Sequence, residues 1–150
     1  MKTFTTTLCL VLLTLLAASS KAQSKRAGKP QLFTNLPFSI AISESQLEKL
    51  FASTQGQPVQ LPITEASAFS GTVTSNISKY HNLQTIIIKL PAYSNTLLSI
   101  SKQVENKIIT FVGRIFHPQF EDGFELTKTQ DGLYHLVKIA TTNTLTDCSL

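Results

Sequence analysis

From Phe69 to Ile139 apolar side chains return at every second position between clusters of turn residues. A period of two commits most of the chain to strands with one face buried and one face wet. Phe69, Gly71, Val73, Ser75 and Ile77 share one face, and Ser70, Thr72, Thr74 and Asn76 share the other. Leu83–Leu90 is the most apolar run, and Pro91 ends it by removing a ladder donor. Thr96–Val104 and Lys107–Phe116 are predicted to form a hairpin about Glu105-Asn106. That loop sets Ile100 opposite Phe111 and Leu98 opposite Gly113 toward the core, with Ser99, Ser101, Gln103, Thr110 and Val112 outside. Asp131-Gly132 is the stronger turn signal, because a two-residue type I′ turn needs positive φ at both central positions. It predicts Leu126 opposite Val137 and Phe124 opposite Ile139, all inward, and Glu125 opposite Lys138 as an outer cross-strand ion pair.

One segment departs from the period of two. Ser43-Glu44-Ser45-Gln46 fits a capping box, in which the Ser43 hydroxyl and the Gln46 amide satisfy each other's backbone N–H. Leu47, Leu50 and Phe51 follow on one helical face, and the helix is expected to stop near Thr54, before Gly56 and Pro58. Leu36–Ile42 reads as a strand before it, and the stretch holding Pro58 and Pro62 reads as a connector after it. This order predicts an α+β domain: one N-terminal helix packed on an antiparallel meander sheet of about five to seven strands. The alternative is a small closed β-barrel, since closure removes both sheet edges.

The first 22 residues have the order of a secretory signal peptide: Met1-Lys2, an apolar run from Leu8 to Ala18, then small residues to Ala22. Cleavage is expected after Ala22, with export to the periplasm or the medium. The apolar run is about half of the roughly 20 residues a membrane span needs, so no stable membrane anchor is expected. Cys9 leaves with the signal, and Cys148 alone cannot form an internal disulfide. The chain then divides into a signal peptide (1–22), a flexible basic leader (23–35) and a single domain (36–150).

The formal charge of +4 does not describe that domain. Residues 23–150 carry 11 basic and 9 acidic side chains, and Lys25, Arg26 and Lys29 crowd the leader. From Gln31 onward there are 8 basic and 9 acidic side chains, scattered singly. A nucleic-acid surface needs clustered Lys and Arg on the folded body, so that class is excluded. Solubility comes instead from hydroxyls, since Ser and Thr number 34 of 150.

Chemistry-bearing motifs are sparse. His81, His117 and His135 stand singly, and there is no Cys-x-x-Cys pair, glycine-rich phosphate loop or nucleophile elbow. No metal or other cofactor is implied. His117-Pro118 with Glu121-Asp122-Gly123 is the densest reactive stretch, and it supports at most a small secreted hydrolase using His117 with Glu121 or Asp122. Asn76-Ile77-Ser78 is a glycosylation sequon in a eukaryotic secretory route.

The predicted registers leave Ile87, Ile108, Val112, Phe116, Tyr134 and Leu136 on solvent faces. Adjoining apolar side chains of that kind mark an interaction surface. The expectation is a non-catalytic binding domain that docks a protein or peptide through a sheet face or edge, with Ile87, Val112, Tyr134 and Leu136 as contacts. Two other classes fit the size and compartment: a small hydrophobic-ligand carrier in a closed barrel, and an inhibitor or prodomain-like partner of a secreted protease.

Overall fold

The computed structural model describes residues 28–64, 67–130 and 132–141. The predicted signal peptide with its cleavage after Ala22, Cys9, Lys25-Arg26, Asp131 and Cys148 lie outside the described residues. Strand β1 (Ser39–Ile42) leads into one helix, α1 (Glu44–Phe51). Seven more strands follow: β2 (Pro58–Thr64), β3 (Ser67–Tyr80), β4 (Leu83–Leu90), β5 (Thr96–Glu105), β6 (Ile108–Phe116), β7 (Asp122–Lys128) and β8 (Tyr134–Ala140). All eight pair antiparallel in the order β1-β8-β7-β6-β5-β4-β3-β2, so a meander curls round until its first and last strands touch. β1 and β2 meet without a hydrogen-bonded ladder, which makes a nearly closed barrel. The expected helix and antiparallel sheet are present, but the described residues form eight strands rather than five to seven, and the barrel alternative describes them better.

The extra strand is β2, expected to be a connector because of its prolines. Gln57 C=O accepts from Val73 N–H, so residues 57, 59 and 61 face β3 and residues 58, 60 and 62 face away. Pro58 and Pro62 therefore place both missing N–H groups on the unpaired edge, where a proline costs no ladder bond.

Helix α1 forms as its sequence dictates. Ser43 Oγ accepts from Gln46 N–H at 3.2 Å and Gln46 Oε1 accepts from Ser43 N–H at 2.8 Å. Leu47, Leu50 and Phe51 are buried, and Phe51 packs on Phe111 with ring centroids 5.7 Å apart. The last turn is capped from the sheet: Asn76 Nδ2 donates to Phe51 C=O at 3.0 Å and Ser53 C=O at 2.7 Å. Gln84 Nε2 in turn donates to Asn76 Oδ1 at 2.9 Å.

The interior is filled by side chains. Phe33, Phe69, Tyr93 and Phe124 form one aromatic cluster, with centroids 5.3 to 6.4 Å apart, and Phe51, Phe111 and Tyr134 form another. Phe33 belongs to the stretch expected to be a flexible leader. Its backbone explains why it is held: the Asp122 carboxylate accepts from Leu32 N–H at 2.6 Å and Phe33 N–H at 2.8 Å. Lys138 Nζ donates to Phe33 C=O at 2.7 Å and Leu36 C=O at 2.9 Å. An acid and a base from β7 and β8 thus strap residues 32–36 to the barrel.

Both predicted hairpins exist with shifted turns. Between β5 and β6 the turn is Asn106-Lys107, with φ of 49° and 69°, rather than Glu105-Asn106. Ile100 then opposes Gly113 and Leu98 opposes Ile115, a shift of two residues that keeps every side chain on its predicted face. Between β7 and β8 the turn closes by Gly132 N–H to Thr129 C=O at 3.0 Å and Thr129 N–H to Leu133 C=O at 2.8 Å, with Gly132 at φ 85°. That loop is one residue longer than predicted, so Leu126 opposes Leu136, Phe124 opposes Lys138 and Glu125 opposes Val137. A one-residue shift turns β8 over. The ion partner of Glu125 is consequently Arg114 on β6, at 2.8 Å, and not Lys138.

Candidate functional site

The turned strand decides two of the four expected contacts. Tyr134 is 1% exposed and Leu136 is buried completely, so both belong to the interior. Tyr134 has a further structural task. β6 and β7 pair only from Gly113 to Ile115, and beyond that the buried Phe111 N–H donates to the Tyr134 hydroxyl at 3.2 Å. The phenol supplies the acceptor that a continuing β7 would have supplied. Ile87 and Val112 lie on the outer face: Ile87 half-buried on β4, Val112 55% exposed on β6.

Around Val112 the outer face carries apolar side chains in rows that alternate with polar ones. Leu97 on β5 is 46% exposed and opposes Phe116 on β6, which is 39% exposed. Ile87, Ser99, Arg114 and Glu125 form the next row across β4 to β7, followed by Thr85, Ser101 and Val112. Two troughs cross these rows. One of about 560 Å³ includes Leu97, Phe116, His117 and Ile139, and another of about 450 Å³ includes Ser101 and Val112. They share Ser99 and Arg114. Gly113 draws the strands together beneath them, since a Cβ there would stand 2.7 Å from the Ser99 carbonyl oxygen.

Leu97, Arg114 and Ile139 were not singled out from the sequence. Leu97 carried a signal, because the alternation that puts Leu98 inside puts Leu97 outside. Ile139 carried none, because its face follows from the length of the β7–β8 loop.

The candidate hydrolytic residues are occupied with structure. Both Asp122 oxygens accept backbone N–H groups, and Glu121 Oε1 accepts from Gln31 Nε2 at 3.0 Å. His117 Nδ1 accepts from Gln119 N–H at 3.2 Å, and its ring stands edge-on to Phe120 at 5.0 Å. Ser39 Oγ lies 3.0 Å from His135 Nδ1. Among the described residues no three His, Cys, Asp or Glu side chains come together where they could hold a metal ion. Among them, too, no helix is long and apolar enough to cross a membrane. No family model, curated protein or solved structure matches the chain. The geometry defines a small, side-chain-filled, nearly closed antiparallel barrel whose outer face exposes Leu97, Val112 and Phe116.

Proposed function

We propose that this chain is a secreted or periplasmic, non-catalytic binding domain that docks a protein or peptide on the outer face of β4–β6. One observation carries the reading: Leu97, Val112 and Phe116 are exposed together on one face, beside Ile87, along two adjoining troughs. Exposed apolar side chains that line a concave surface are a mark of an interaction surface. A sheet face is favoured over a sheet edge, because Pro58 and Pro62 remove two donors from the β2 edge and β1 lies against it. The interior is occupied by Phe33, Phe69, Phe111, Phe124 and Tyr134, which leaves the carrier reading without a supporting observation.

The test is capture of partners from the native extracellular or periplasmic fraction by residues 23–150, with and without Val112→Lys, followed by mass spectrometry. Val112→Lys is expected to keep the fold and lose the partner. An identical captured set with both proteins would overturn the docking face.

A further inference from the structure

The docking face has a cation at its centre. Outward side chains along β6 read Val112, Arg114 and Phe116, two residues apart and so about 6.6 Å apart. Arg114 belongs to both troughs, with Val112 on one side and Leu97, Phe116 and Ile139 on the other. Glu125 Oε1 accepts from Arg114 Nε at 3.1 Å and Nη2 at 2.8 Å. A guanidinium has five N–H donors in a planar fork, so Glu125 engages one edge and leaves donors on the other. The Arg114 side chain is 56% exposed.

Resting on the docking reading above, we propose that this face takes an extended peptide segment with the pattern apolar-x-acidic-x-apolar. Its central carboxylate meets Arg114, and its flanking side chains cover Val112 at one end and Leu97 with Phe116 at the other. An extended chain puts alternate side chains on one side at the same repeat as β6, which matches three stations in a row. A single-tailed amphiphile has one head and one tail, and would leave one of the two apolar stations bare. A phosphate dianion calls for more than one cation, and Arg114 is the one Lys or Arg among the described residues lining the two troughs.

Three fluorescein-labelled peptides test this by anisotropy against residues 23–150 at low salt. Their centres are Leu-Ser-Asp-Ser-Leu, the amide Leu-Ser-Asn-Ser-Leu, and Leu-Asp-Ser-Ser-Leu, in which the acid is moved to the opposite side. The first is expected to bind about fivefold more tightly than the others, the size of an accessible ion pair. Arg114→Gln, a surface change, is expected to erase that preference while the weaker apolar binding remains. Equal binding of all three, no binding, or a preference that survives Arg114→Gln would overturn the proposal. So would displacement by decanoate, or self-association of the chain that Val112→Lys abolishes, which would assign the troughs to an amphiphile or to a second copy. Partner capture that depends on Val112, together with equal binding of the three peptides, would keep the docking face and remove the acidic residue.

Discussion

Replacing Tyr134 by Phe deletes one oxygen and leaves the ring. That oxygen is the acceptor for Phe111 N–H, at 3.2 Å in a buried setting where β6 and β7 have ceased to pair. The Phe ring would keep its edge-to-face contact with Phe111, whose centroid is 5.5 Å away, so packing is nearly unchanged. What remains is a buried donor without a partner, which costs about 1–3 kcal/mol. For a domain of this size the melting temperature should fall by roughly 4–10 °C. Urea unfolding would give the free energy, and hydrogen exchange would show the Phe111 amide losing protection before its neighbours. Val112→Lys is the matched control: an outer-face change expected to stay within about 0.5 kcal/mol. A Tyr134→Phe protein as stable as the parent, or a Val112→Lys protein that unfolds, would refute the assignment of inner and outer faces.

Asp122→Asn keeps the shape but removes the charge that accepts Leu32 and Phe33 N–H, and should cost about 1.5–3 kcal/mol in urea unfolding. Phe33→Ala, in the aromatic cluster beneath that strap, should cost about 3–5 kcal/mol by the same measurement. Asn76→Ala removes the donor to the Ser53 carbonyl and leaves the Phe51 carbonyl only the 3.4 Å bond from Gln84 Nε2, and should destabilise by about 1–2 kcal/mol in urea unfolding. Lys107→Gly, at φ 69° in the β5–β6 turn, should stabilise by up to about 1 kcal/mol, read as a higher urea midpoint.

How far the sequence could be read follows from the parity of each register. Moving the β5–β6 turn by one residue adds one residue to one arm and removes one from the other, so partners shift by two and faces survive. Leu98, Ile100, Phe111 and Val112 were placed correctly for that reason, although their partners were not. Lengthening the β7–β8 loop by one residue shifts partners by one, and every side chain of β8 changes sides. Gly132 could not arbitrate, because a glycine at positive φ serves a two-residue and a three-residue loop alike. Neither could β8 itself: Tyr134 and Leu136 on one parity are as apolar as Val137 and Ile139 on the other. The strap around Phe33 was hidden for a different reason, since Asp122 lies 89 residues away from it. The start and apolar face of the helix, by contrast, were legible, because they lie within nine residues of each other, although the helix ends at Phe51 rather than near Thr54.

Where binding can occur follows from the strand number. Eight strands enclose a lumen about wide enough for side chains to fill. Here Phe33, Phe69, Phe111, Phe124 and Tyr134 fill it, while α1 adds Leu47, Leu50 and Phe51. A ligand could enter only by expelling part of that core, at a cost of several kcal/mol for each large side chain displaced. The outer face carries no such cost, because Leu97, Val112 and Phe116 already stand in water. Covering them removes apolar surface at about 25 cal/mol per Å² without unmaking any contact of the barrel. On the proposed docking reading, a filled core leaves binding to the outer face, where Arg114 stands between Val112 and the pair Leu97 and Phe116.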